Sequence, residues 1–242
     1  MYKMVNFFIR IFNLIFYQPL LNILILFYQY LTGYDFGLAI ILLTIFIKIL
    51  FYPLTAKSIK SQKTLEGFQG KIQEIQEKYK DDKEKQARLM MELYQKEGIN
   101  PFSGFLPLLV QLPILFALYQ VFRKGLMAEE MVNLYSFVPR PSQINPYFLG
   151  ILNLAQSSLI LAVVAGILQY FQTKMTTPKT PKVKTQSLQF SEIIQKQTLY
   201  FFSFFTVLIL WKLPAAVSLY WITTTLFSII QQYLILRRLK YD

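Results

Sequence analysis

The chain has 242 residues, 54% of them hydrophobic and 17% aromatic, and a formal net charge of +12; this composition excludes an ordinary soluble globular domain and points to a chain made for lipid. With no cysteine and no histidine, disulfides, thiolate metal sites and imidazole acid–base or zinc chemistry are closed to it. The basic residues lie mainly between apolar runs, a distribution that favours membrane topology and a cytoplasmic partner over nucleic acid.

Residues 1–34 open with MYKMVNFFIRIFNLIFYQPLLNILILFYQYL. Lys3, Asn6, Arg10 and Asn13 recur at the three-and-four spacing of one helix face, and Gln18, Asn22 and Gln29 continue a weaker stripe beyond Pro19. The pattern predicts an N-terminal interfacial amphipathic helix on the extracytoplasmic side, with a sixth span as the alternative. No small-residue cleavage site follows, so the segment is expected to stay in the mature protein.

Apolar runs then predict five transmembrane helices, at 35–55, 100–124, 146–171, 198–212 and 213–236. Between the first two, residues 56–99 hold ten Lys/Arg and eight Asp/Glu. There Ile59, Leu65, Phe68, Ile72, Ile75 and Tyr79 share one helical face. Met90, Leu93 and Tyr94 mark a second helix, with Asp81-Asp82 at its start and Gly98 at its end. The expectation is a cytoplasmic helical hairpin. An extracytoplasmic loop at 125–145, a basic cytoplasmic loop at 172–197 and a basic tail at 237–242 complete the chain. The positive-inside rule puts the hairpin, the basic loop and the C-terminus in the cytoplasm and the N-terminus outside. The expected fold class is an all-α membrane protein with a five-transmembrane-helix core, a cytoplasmic helical hairpin and an N-terminal interfacial amphipathic helix.

Polar side chains within the spans carry the functional information, because hydrocarbon offers them no partners. Lys48 stands out in LAIILLTIFIKILFYPL, where a buried cation costs about 2.5 to 3.5 kcal/mol on insertion scales. It either snorkels to the cytoplasmic face along its own stem or faces a wet recess. Thr44 lies one turn before it; Gln111, Tyr119 and Gln120 belong to the second span, Asn153, Gln156, Ser157, Ser158 and Gln169 to the third, and Ser218, Tyr220, Trp221 and Thr223 to Thr225 to the last. The candidate groove set is Lys48, Thr44, Gln111, Tyr119, Gln120, Gln156, Gln169, Ser218 and Trp221. Taken singly, each could instead serve interhelical or back-to-helix hydrogen bonding. No acidic residue occurs within any expected span, so Lys48 has no carboxylate partner there. Pro107 and Pro113 are expected to kink the second span, Pro214 to mark an outside turn, and Lys212 beside Trp211 to anchor the interface. A small-solute transporter or channel is the competing class, disfavoured by the lack of an inverted repeat and of an acidic ion-coupling residue. A passive assembly chaperone is a third reading.

From about Tyr17 onward the chain resembles the YidC-type membrane protein insertases. The blocks that carry the resemblance are YQPLLN, GLAIILLTIFIKILFYPLTAKSIKSQ, KIQEIQEKYKDDKEKQARLMMELYQKEGINPFSGFLPLLVQLPILFALYQVF and LPAAVSLYWITTTLFSIIQQYLILRR. Most specific is the NP-x-x-G-x-x-P-x-x-x-Q-x-P-x-x-x-x-L-Y arrangement from Asn100 to Tyr119. The resemblance implies a five-helix core around a hydrophilic groove open to cytoplasm and lipid, in the compact form of the family without its large extracytoplasmic domain. It implies a membrane protein insertase and chaperone, not an enzyme, working without nucleotide hydrolysis, cofactor, metal or small-molecule substrate. The implied partners are nascent membrane proteins, the ribosome, the Sec translocon and the lipid bilayer, and the implied location is the bacterial plasma (inner) membrane, multi-pass. Similar insertases carry a positive residue, usually arginine, five positions before the span-ending proline. Here that position is Lys48, five before Pro53, which keeps the charge but not the guanidinium fork.

Overall fold

A computed structural model of the chain describes residues 2–98, 100, 106–124, 128–177 and 186–239. Residues 101–105 of the NP-containing motif, 178–185 of the expected basic loop and 240–242 of the tail lie outside the described residues. The fold is mostly helical. Helix α1 (Tyr2–Phe12) runs through a π-helical turn (Asn13–Tyr17) into α2 (Gln18–Tyr30). Then come α3 (Phe36–Leu50), α4 (Tyr52–Gly67), α5 (Gln69–Lys78), α6 (Lys83–Lys96) and α7 (Leu106–Lys124). A 3₁₀ turn (Ala128–Asn133) and a two-residue antiparallel pair, β1 (Tyr147–Phe148) with β2 (Leu152–Asn153), precede α8 (Leu159–Thr176), α9 (Gln186–Trp211) and α10 (Ala215–Arg238).

Among the described residues three helical stretches are long and apolar enough to cross a membrane: Asn6–Tyr30, Leu159–Thr176 and Ala215–Arg238. The bent pair α3 and α4 makes a fourth if counted as one span. The 62° bend between them has a covalent cause. Pro53 has no amide proton and its ring clashes with the carbonyl four residues back, so it fits best in the first turn of a new helix, where it lies. Helix α3 therefore stops at Leu50, about 22 Å from its start at ~1.5 Å per residue. The apolar part of α9 is shorter, Leu199–Trp211.

Three sequence expectations need revision. Residues 146–158, expected inside a third span, form the β1–β2 hairpin and a connection, and the helix begins only at Leu159. The turn residues Leu149 and Gly150 both take positive φ, Asn145 and Asn153 accept bonds from nearby backbone amides, and Ser158 caps α8 by accepting from the Leu161 amide. These side-chain-to-backbone bonds favour turns over helix. The apolar character of the hairpin instead serves packing: a Cβ on Gly37 would overlap the Phe148 ring. Second, the expected helix after the first span is split at Phe68 into α4 and α5. Third, residues 186–197, expected within the basic loop, belong to α9. Residues 1–34 are two helices joined by a π turn, and by length and composition Asn6–Tyr30 fits the sixth-span alternative as well as the interfacial helix.

Helices α5 and α6 lie side by side in opposite directions, with the Gln86 amide donating to the Gln76 carbonyl and Lys71 3.7 Å from Glu97. Asp82 caps α6 by accepting from the Lys85 amide, and Gly98 after its end takes φ +63. Ile72 is buried on the shared side. Elsewhere helix contacts are close where residues are small. Ala162, Ala165 and Gly166 are buried on α8, and a Cβ on Gly166 would meet Val207 and stand 3.1 Å from the Ser203 carbonyl.

Among the contacts that hold helix α2 is one buried amide. The Asn22 side chain donates to the carbonyls of Gln18 and Asn133 and accepts from the Tyr135 amide at 2.7 Å, so it joins α2 to the segment after α7. Replacing Asn22 by Leu strands the Tyr135 amide and the Asn133 carbonyl. The expected cost is about 1 to 3 kcal/mol, to be read as a lowered unfolding midpoint of the purified protein in detergent.

Candidate functional site

The described polar groups of the spans gather on α10, in two rows. One row, Tyr220, Thr224, Ser228 and Gln231, repeats at helical spacing and meets α7, α3 and α4 in turn. Gln111 of α7 donates to the Tyr220 hydroxyl. Lys48 of α3 donates from Nζ to Ser228 Oγ at 3.0 Å, while Ser228 donates its own proton to the Thr224 carbonyl at 2.8 Å. The Gln231 amide donates to Thr55 Oγ1 at 2.7 Å and to the Tyr52 carbonyl at 3.3 Å, tying the first turn of α4 to α10 beside the bend.

The second row faces α8. Trp221 Nε1 donates to Gln169 Oε1 at 3.0 Å, Gln169 donates onward to Thr173, and Gln232 donates to the Met175 carbonyl. Ser218 is fully buried, and its hydroxyl has no hydrogen-bond partner among the described residues.

Lys48 is half-buried and forms no ion pair among the described residues, where the salt bridges all lie in α4, α5 and α6 and just beyond. An ammonium has three donors, and Ser228 takes one. A neutral hydroxyl does not compensate a unit charge as a carboxylate does. The arrangement holds a cation at a defined place on the α3–α10 contact and leaves its charge available to an anion.

The nine residues of the candidate set do not all meet. Lys48, Gln111, Gln169, Ser218 and Trp221 all lie on or against α10. Thr44 is buried but bonds back to the Ile40 carbonyl of its own helix at 2.6 Å. Tyr119 packs half-buried against the hydrophobic core. Gln120 lines a different cleft, against the N-terminal helix. Gln156 lies in the connection before α8, exposed, with its carbonyl accepting from the Ala215 amide at 2.7 Å. Sequence reasoning missed Ser228, Gln231, Gln232 and Thr55. Continuing the Tyr220 and Thr224 row by four and then three residues would have found Ser228 and Gln231.

The profile of the 60Kd inner membrane protein family matches residues 26–242. The chain belongs to that family. It is 38% identical over 225 residues to the membrane protein insertase YidC of Geobacter sulfurreducens, covering 92% of this chain and 37% of that protein. It is 34% identical over 205 residues to the membrane protein insertase YidC of Fusobacterium nucleatum, covering 84% of this chain and 87% of that one. A crystal structure described as an active YidC insertase with its first transmembrane domain resolved is 27% identical, with a TM-score of 0.57, covering 90% of this chain and 46% of that one. The chain thus spans little more than a third of the Geobacter relative and most of the Fusobacterium one. Family membership and the apolar helices make it a multi-pass protein of the bacterial inner membrane.

The Trp221–Gln169 bond can be read directly, since the chain has only two tryptophans, Trp211 and Trp221. In a Trp211→Phe background, Gln169→Leu leaves the indole N–H without its acceptor. Emission of Trp221 should shift to shorter wavelength, and stability should fall by about 1 to 3 kcal/mol. An unshifted spectrum would show that the two side chains do not meet.

Proposed function

We propose that the chain is a membrane protein insertase that admits the polar leading end of a nascent membrane segment to a hydrated groove bounded by α3, α7, α8 and α10, without covalent chemistry or nucleotide hydrolysis. One observation carries this reading: Lys48, held by Ser228 with no ion pair among the described residues. The family membership and the insertase relatives support it further. In this reading the five-span core consists of α3, α7, α8, α9 and α10. The end that carries α4, α5 and α6 faces the cytoplasm, as does the C-terminus, and the N-terminus lies outside.

The energetics follow from the bilayer. A charged tail meets its largest barrier in the hydrocarbon core, about 30 Å thick. A recess wet from the cytoplasmic side shortens that path, and the cation offsets part of the desolvation of an acidic tail. The apolar body of the substrate then moves sideways into lipid, with roughly 25 cal/mol gained per Å² of apolar surface removed from water. The membrane potential adds about 2.3 kcal/mol per charge per 100 mV for acidic tails. The basic stretch at 172–197 and the basic tail at 237–242 are the proposed contact for ribosomal RNA, whose phosphates would make that contact salt-dependent, and the α4–α6 hairpin is the proposed first contact for the emerging substrate segment.

Lys48→Ala should slow insertion of a substrate with a single acidic residue in its tail by about fivefold. That is the value of ~1 kcal/mol for unit charges ~4 Å apart in water-like surroundings. Lys48→Arg should retain the parental rate; in reconstituted vesicles, an alanine variant as active as the parent would remove Lys48 from the mechanism. Because the chain has no cysteine, Lys48→Cys gives a single thiol free of background. A membrane-impermeant thiol reagent added from the cytoplasmic side should modify it within minutes, and an inert thiol would mean that no wet recess reaches that depth. Deleting residues 60–97 should impair insertion while the remaining spans still assemble, and full activity would show the hairpin to be dispensable.

A further inference from the structure

The polar stripe of the N-terminal helix has no part in the proposed groove, yet it does not face solvent alone. It forms one wall of a cleft of about 660 Å³, with Gln120 and Lys124 at the end of α7 opposite. Asn6, Arg10 and Asn13 project into it from α1 and the start of the π turn. The wider π turn delays the helical rotation, so Gln18 joins the same wall although an unbroken α-helix would carry it to the side. At the base, Tyr17 donates to Glu130 Oε2 at 2.6 Å and Asn133 donates to the same oxygen at 2.8 Å.

The charges in this cleft are unequal. Glu130 is held by hydrogen bonds to neutral groups, whereas Arg10 and Lys124 are exposed and neither is ion-paired among the described residues. Two cations and one carboxylate leave a net single positive charge facing a polar recess. Ile9 and Leu14, both more than half exposed, form apolar lips to the cleft. Beyond them Phe7, Phe8 and Ile15 continue an exposed apolar surface along the same helix. A free anion gains nothing from that surface. A monoanionic head joined to acyl chains matches both parts, and the volume suits a headgroup.

We propose that this cleft binds the phosphodiester headgroup of an anionic phospholipid, with Arg10 and Lys124 facing the phosphate and the apolar side of α1 against the acyl chains. This inference goes beyond the insertase reading and stands or falls apart from the groove at Lys48.

The test uses the purified full chain in a neutral detergent, with lipid binding followed by native mass spectrometry and by titration. Phosphatidylglycerol should bind and survive dilution, phosphatidylcholine should bind at least about tenfold more weakly, and inorganic phosphate should not displace the lipid. Arg10→Gln combined with Lys124→Gln should weaken phosphatidylglycerol binding about 30-fold, the combined effect of two basic contacts. The charge-preserving pair Arg10→Lys and Lys124→Arg should bind like the parent, which separates lost charge from lost folding. Removing two other exposed cations, by Arg140→Gln with Lys212→Gln, should leave binding unchanged. Equal binding of the two lipids, displacement by phosphate alone, undiminished binding by the Arg10 and Lys124 pair of glutamines, or an equal loss in the Arg140 and Lys212 control would each overturn the proposal.

Discussion

Hydrocarbon supplies neither donors nor acceptors, and that constraint organises the polar side chains of this protein. In water, Tyr220, Ser228, Gln231 and Gln232 could lie on any face of α10. In lipid each must find a partner, on another helix or in its own backbone, or bear a desolvation cost of several kcal/mol. The partners are spread over four helices: Gln111 on α7, Lys48 on α3, Thr55 and the Tyr52 carbonyl on α4, and the Met175 carbonyl on α8. Helix α10 is therefore the element against which the others are registered. Its polar rows fix rotation and depth in a way that interchangeable apolar side chains could not.

Backbone shape complements these bonds. Pro53 breaks the apolar helix that carries Lys48, and Gln231 bonds to the first turn beyond the break, so the bend is held from the same helix that holds Lys48. On the opposite side, α9 approaches α8 through Gly166 and its small neighbours, where van der Waals contact rather than hydrogen bonding makes the interface. At the end near the start of α3, Phe148 sits over Gly37, and Asp35 accepts from the amides of Leu38 and Leu149. The hairpin there is anchored both by shape and by a carboxylate that also caps the helix.

Much of this was legible in the sequence. Length and hydropathy pick out the helices at Leu159–Thr176 and Ala215–Arg238, and Lys48 stands out as a cation in an apolar run, although its contact with Ser228 was not foreseen. What was not legible has physical causes. Residues 146–158 are apolar enough to pass for membrane, and only their positive-φ turn and Asn-to-backbone bonds separate a packed hairpin from a spanning helix. Gln120 lies one residue beyond Tyr119, yet a step of ~100° sends the two side chains in different directions, one to the core and one to the N-terminal cleft. Thr44 shares a face with Lys48 but satisfies its hydroxyl within its own turn. Spacing assigns a face; it does not choose between a neighbour and the residue's own backbone.

The way Lys48 is held has a consequence for recognition. Ser228 orients the ammonium without cancelling its charge, and a single cation imposes no outline on whatever approaches it. A clamp of several donors would enforce a shape, as a guanidinium fork does for a planar oxyanion. In the proposed groove, one amine on a flexible stem would sort visitors by the sign of their charge and not by their shape.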